Sequence, residues 1–239
     1  MPGLLLVQQP YPLLTPLKKP TRNSEGIFVS KEFSAELRQL SPRTAFSGVP
    51  TTDEFSWLRA SGIVLVGSAL VAACAQISVP LFFTPVPLSM APWAVLVLGL
   101  LLGPRLAAAT LAAYLAEGAM GLPVFAPVPL AGGVSAHLGF AHLVGPTGGY
   151  LLAYPLAAAL IAFLVRRTDR GFAASALGAV AGSLVILFCG GIWLAILTHA
   201  SVQSVFTLAV LPFLPGDALK IAAAAALATG WVRLRRRPA

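Results

Sequence analysis

The stretch Phe172–Thr198, FAASALGAVAGSLVILFCGGIWLAILT, decides the fold class. It contains no charged side chain, and the charge-free run continues through residue 216. A helix over these residues has no wet face, whereas a helix on a soluble domain needs a polar side. Crossing a hydrocarbon core takes roughly 20 apolar residues, and this segment is long enough to cross at a tilt. It reads as a membrane helix.

The same deficit extends outward in both directions. Residues 1–61 carry twelve charged side chains and residues 233–237 carry four. The 171 residues between them carry eight: Arg105, Glu117, Arg166, Arg167, Asp169, Arg170, Asp217 and Lys220. Over the whole chain 57% of residues are hydrophobic and 10% charged, against roughly 45–50% and about 25% in soluble domains. The class is an all-α integral membrane protein. Its net charge of +8 does not indicate nucleic acid, because the surplus lies in the N-terminal segment and in short clusters beside apolar runs. There Lys and Arg set topology, while a nucleic-acid footprint needs a soluble basic surface.

Proline, glycine and charge divide the apolar part into six expected spans: 57–79, 88–102, 106–120, 149–165, 172–198 and 217–232. Residues 205–214 are apolar but too short to cross. With six spans both termini share one side. That side receives the 233–237 cluster, the loop with Arg166, Arg167 and Arg170, and the turn with Arg105. The opposite loops, 80–87, 121–148 and 199–216, contain no Lys or Arg. The positive-inside rule then puts both termini in the cytoplasm. The outer loops also hold many of the prolines and glycines, among them Pro80, Pro87, Pro123, Gly145, Pro146, Pro215 and Gly216. Irregular backbone near membrane depth persists only where protein or a cavity satisfies it, so these loops are expected to fold inward over a pocket. Three parts follow: an extension over 1–56 expected to lack stable structure, a transmembrane domain over 57–233, and a basic cytoplasmic tail over 234–239.

Asp217 and Lys220 are the sharpest candidates for chemistry. Three residues apart at the start of the last helix, they share a face, and Asp217 sits where the helix dipole favours a carboxylate. One reading is a helix cap with a salt bridge. The other is a ligand site, because ionisable groups within membrane spans are costly and face an interior or a water-filled cavity. A carboxylate accepting two N–H groups and an ammonium attracting an acid would suit a small anionic ligand with a cyclic urea or amide. Gln76, near the outer end of the first span, either lines such a pocket or bonds loop backbone. Glu117 reads as interfacial. His137, His142 and His199 lie on the outer side without an acidic partner in ligand spacing, so no metal is expected. Cys74 and Cys189 form no CxxC pattern and read as packing. Ala69 and Ala73 make a small-xxx-small face on the first helix. The run 145–150, GPTGGY, lacks the Gly-Lys-Ser/Thr ending of a phosphate loop. No ATP-binding motif is present, so transport energy would come from an ion gradient or another subunit.

Five blocks, in order, resemble the BioY family, the biotin-binding S components of energy-coupling factor importers. They are Ala75-Gln76-Ile77-Ser78-Val79-Pro80 with Thr84-Pro85-Val86-Pro87, then Leu101-Leu102-Gly103-Pro104-Arg105, Gly121-Leu122-Pro123-Val124-Phe125, the GPTGGY run at 145–150, and Leu214-Pro215-Gly216-Asp217-Ala218-Leu219-Lys220. The resemblance covers about 62–232. It implies a six-helix bundle with the vitamin near the outer face, Asp217 on the ureido ring and Lys220 at the polar end of the site. It implies Tyr150, with Gly148 and Gly149, closing over the ligand. It also implies that the Ala69/Ala73 face meets a transmembrane coupling subunit served by two cytoplasmic ATPases. Two positions depart from the family pattern: Ala91 stands where Gln is usual, and Leu151 where some members have Arg. The expected function is therefore a vitamin-binding transport subunit without its own ATPase, most naturally for biotin. The alternatives are an S component for another vitamin, or a membrane scaffold of the same fold that has lost tight binding. An intramembrane enzyme is disfavoured, because no nucleophile–base pair is legible.

Overall fold

A computed structural model of the chain describes residues 52–81, 84, 86–129, 135–136 and 139–236. Residues 1–51, most of the expected extension, lie outside the described residues, as do His137 and the last three residues of the basic tail. The first helix, α1, spans Thr52–Gln76. A two-residue hairpin pairs β1 (Ser78–Val79) with β2 (Leu88–Ser89). Then come α2 (Ala91–Leu101), α3 (Pro104–Ala119) and the pair β3 (Val128–Pro129) with β4 (Ser135–Ala136). The short α4 (Phe140–Val144) leads into α5 (Gly148–Val165) and α6 (Phe172–Thr198). The short α7 (Val202–Ala209), a 3-10 turn at Leu211–Phe213 and α8 (Leu214–Arg236) complete the described chain.

Among the described residues, four stretches are long and apolar enough to cross a membrane: Ser56–Gln76, Gly148–Val165, Phe172–Thr198 and Gln203–Arg235. The expected second and third spans are shorter as helices. At 11 residues, α2 rises about 16 Å, because the hairpin takes Leu88 and Ser89 and the Gly103-Pro104 turn ends the helix. Pro92 and Pro104 stand in the first turns of α2 and α3, where a missing N–H costs nothing. The extension boundary also moves. Helix α1 begins at Thr52, five residues before the expected Trp57, and α8 carries the expected tail's first residues as helix to Arg236.

Helix α6 shows why this chain needs lipid. Its inward face carries Ser175, Gly178, Gly182, Ser183, Ile186 and Gly190, all buried. Its outward face carries Leu177, Leu184, Phe188 and Ile196, each more than half exposed. Small residues inside and large apolar ones outside reverse the soluble pattern. In water this stripe would be an association patch, whereas in a bilayer it is the solvated side. The inner glycines bring α6 against α5: a Cβ on Gly178 would meet Val165, one on Gly182 would meet Ile161, and one on Gly190 would meet the Tyr150 ring. Close backbone approach through small residues is how membrane helices gain packing without a hydrophobic drive between them.

Helix α2 is buried along Ala94–Leu100 and packs against α1, α3, α5, α6 and α8. On the other side of the bundle, α1 packs against α2 and α3. The buried Ser68 of α1 donates to Glu117 of α3 at 2.8 Å, so the half-buried Glu117 ties two helices together. Gly121 follows α3 at φ +96°, a conformation that glycine adopts without strain, and turns the chain back over the bundle.

Candidate functional site

One cavity gathers residues from the three loops 80–87, 121–148 and 199–216 and from helices α1, α2, α3, α5, α6 and α8. Val86, Pro87 and Ser89 come from the first loop, Ala126, His142 and Thr147 from the second, and Phe213 from the third. The floor is Asp217 and Lys220 of α8, with Tyr150 and Tyr154 of α5, Ile186 and Leu187 of α6 and Tyr114 of α3 alongside. Loops over a pocket were the expectation from their prolines and glycines, and the hairpin explains how the first is held. Its strands pair Ser78 with Ser89 and Val79 with Leu88, and the Met90 N–H donates to the Ile77 carbonyl at 2.9 Å.

At the floor, Lys220 Nζ donates to Asp217 Oδ1 at 3.2 Å and Ser183 Oγ donates to Asp217 Oδ2 at 2.9 Å. Asp217 is 8% exposed and Lys220 6%. The carboxylate therefore engages its neighbours across the pocket floor, although it stands in the first turn of α8, where a capping role would direct it to backbone N–H groups. A buried ion pair is a weak source of stability, because desolvation offsets its attraction. Two carboxylate oxygens offer about four acceptor sites, of which Ser183 and Lys220 use two. The remainder can take N–H groups from a ligand. The lysine likewise keeps N–H donors beyond the one given to Asp217.

The walls are aromatic. Tyr114 and Tyr154 stack with ring centroids 6.4 Å apart, Phe125 meets Tyr114 edge-on at 5.4 Å, and Tyr150 tilts against Phe213 at 6.4 Å. Tyr150 and Tyr154, four residues apart, present one face of α5 to the cavity. Below them Pro155 has no N–H to give the Leu151 carbonyl. An apolar middle with polar groups at defined points is the usual build of a small-molecule site.

The structure thus brings together Asp217, Lys220 and Tyr150. It does not bring the other expected residues to the cavity. Gln76 is exposed, and its Nε2 donates to the carbonyls of Pro123 and Phe125, each at 3.2 Å. Gly148 and Gly149 are buried outside the cavity wall. A Cβ on Gly149 would meet Trp193 of α6, and one on Gly148 would meet the Leu143 carbonyl. Trp193 Nε1 donates to the Gly145 carbonyl at 2.9 Å, so the glycine run is a seat for α6. Ala69 and Ala73 both lie exposed on α1. No cluster of three or more metal-ligating side chains occurs among the described residues.

Reading the sequence missed Ser183, Tyr114 and Tyr154, and weighed His142 only as a metal ligand. A phenol within an apolar span is a legible signal for the two tyrosines, since a buried hydroxyl needs a partner. Ser183 has none, because its partner is 34 residues away.

Known proteins agree with this architecture. A crystal structure at 2.1 Å of the S-component for biotin from an ECF-type ABC transporter superposes with a TM-score of 0.65 and 25% identity, covering 77% of this chain and 94% of that one. The probable biotin transporter BioY of Pyrococcus horikoshii is 40% identical over 166 residues, 70% of this chain and 91% of its own. The biotin transporter BioY of Thermotoga maritima is 34% identical over 161 residues, 67% of this chain and 88% of its own. The model of the BioY family matches residues 46–237, and the chain is a member of that family.

Proposed function

We propose that this protein is the biotin-binding membrane subunit of an energy-coupling factor importer, with six crossing helices and both termini in the cytoplasm. The observation that carries the reading is the buried Asp217–Lys220–Ser183 group at the floor of a cavity walled by aromatic rings and roofed by all three outer loops. A cyclic urea supplies the N–H groups that Asp217 can accept, and its bicyclic neighbour suits the Tyr150 and Tyr154 wall. Helices α2 and α3 complete the six crossings: the first is buried within the bundle, and loops at both ends make up its short length. The side with Arg105, Arg166, Arg167, Arg233 and Arg235 faces the cytoplasm. The exposed Ala69 and Ala73 on α1 suit close approach by a coupling-subunit helix, with ATP hydrolysis supplied by partner ATPases. Equilibrium dialysis of the purified protein against labelled biotin tests the reading, with saturable binding expected at one site per chain. Absence of binding by the folded protein would sink it.

A second reading is supported by two lining residues. Ala91 and Leu151 both face the cavity and both are apolar, which suits a vitamin with fewer polar groups than biotin. A competition series of other small vitamins against labelled biotin separates the two readings. Displacement by one of them at lower concentration than biotin favours the second.

A further inference from the structure

Glycines inside these helices are of two kinds. Gly178, Gly182 and Gly190 of α6 are buried, and a Cβ on any of them would strike a neighbouring side chain. Gly62 of α1 and Gly230 of α8 differ, because a Cβ on either meets nothing within 4 Å. Glycine in a helix interior is less favourable than alanine by about 1 kcal/mol, and no contact inside the protein offsets that at Gly230. What glycine leaves there is a recess. Gly230 lines a groove on the side of the bundle, between Leu70 of α1, Trp93, Val97 and Leu101 of α2, and Leu227 and Trp231 of α8.

Length and charge indicate what fills it. From Trp93 to Leu101, and from Ala226 to Leu234, the lining helices each rise about 12 Å. A hydrocarbon core is about 30 Å thick, so the groove matches the depth of one leaflet and is too short to seat a helix that crosses both. An acyl chain has the right reach, and its flexibility suits a recess whose lining loses dispersion contacts if left unfilled. The groove ends at Leu234, next to Arg235. There the Arg235 guanidinium stands over the Trp231 ring, 4.7 Å from its centroid, a cation–π contact that holds it at the mouth of the groove. Arg235 makes no salt bridge among the described residues, and residues 218–239 contain no Asp or Glu. Arg233 is exposed at the same end of α8. A phosphate at this mouth would meet an arginine whose charge nothing nearby compensates.

We propose that the groove between α1, α2 and α8 is a binding site for an anionic phospholipid of the leaflet on the arginine side, with an acyl chain over Gly230 and the phosphate on Arg235. The inference goes beyond the vitamin-binding reading and does not depend on it.

The test changes the lipid headgroup and the two ends of the site separately. Native mass spectrometry follows the detergent-purified full chain as it is titrated with phosphatidylglycerol or with phosphatidylcholine of the same acyl chains. The wild type is expected to bind phosphatidylglycerol more tightly by about fivefold or more, the scale of one arginine near an anionic lipid surface. In Arg235→Gln that preference should fall to near unity with phosphatidylcholine binding unchanged. Gly230→Leu fills the recess without a clash, and should weaken both lipids by a similar factor while keeping the preference. Equal binding of the two lipids by the wild type overturns the proposal, as does a full preference retained in Arg235→Gln. Unchanged binding of both lipids in Gly230→Leu also overturns it and leaves the groove as ordinary lipid-facing surface. Wild-type dimers that Gly230→Leu disperses would overturn it in favour of a second copy of the chain. Thermal unfolding checks each variant; if Gly230→Leu fails to fold, the exposed change Arg235→Gln still decides the outcome.

Discussion

Helices α1 and α5 have nearly the same mean hydropathy, 1.8 and 1.9 over their apolar windows, yet 28% of one window is buried and 61% of the other. The difference lies in side-chain size and not in polarity. Helix α5 presents Gly148, Gly149, Ala153, Ala157, Ala158 and Ala162 to its neighbours, so α2, α3, α4 and α6 all close on it. Helix α1 buries a narrower stripe through Ser68, Val71, Cys74 and Ala75 and leaves Leu65, Val66, Ala69 and Ala73 outside. In a bilayer, hydropathy says that a helix is inside the membrane, while residue size says which helix is inside the protein. Tyr150, Leu151 and Tyr154 of α5 line the cavity, while α1 contributes Ala75 and leaves a broad apolar face exposed.

The largest effect is expected where the central helices meet the ion pair. Asp217→Ala removes the ligand acceptor and leaves Lys220 buried without its partner, a change costing about 3–5 kcal/mol. Biotin titration should show binding lost, and unfolding in detergent should show the melting temperature lowered. Next comes Gly149→Val, whose side chain meets Trp193. Overpacking of this kind costs about 1–3 kcal/mol, and thermal unfolding should register it. Ser183→Ala removes one donor to Asp217. Hydrogen bonds to charged groups are worth about 1.5–3 kcal/mol, and with water or ligand replacing part of this, biotin affinity should fall by the lower end of that range. On the peripheral helix, Gln76→Ala frees the 123–125 turn and should lower stability by about 0.5–1.5 kcal/mol with affinity little changed. Smallest of all, Ala69→Leu should shift the stability of the isolated subunit by no more than about 0.5 kcal/mol. The same variant should impair uptake in cells if α1 meets a coupling subunit. An equal loss of stability in Ala69→Leu and Gly149→Val would erase the contrast between the two helices.

Charge gaps and Gly/Pro punctuation made helix limits readable, because both act through local backbone and solvation. Thus α6 has the expected limits Phe172–Thr198, and α5 begins one residue before the expected 149. Two of the limits that moved did so through contacts between segments. Helix α1 stops at Gln76 and α2 starts at Ala91 because 78–79 pairs with 88–89 across the loop. In the site, Asp217 and Lys220 were readable as costly charges three residues apart. Gly148 and Gly149 were readable as important, but their task was not, since Trp193 meets them from a helix some 45 residues away.

The central claim is that the buried Asp217 carboxylate recognises the ligand and does not merely begin a helix. Calorimetric titration of biotin into the wild type and into Asp217→Asn tests it most directly, because asparagine keeps the shape and removes the charge. The account expects one site per chain in the wild type and an affinity lower by about 10–100-fold in the variant, the scale of a charge-assisted hydrogen bond. Equal affinity in the two proteins would contradict it.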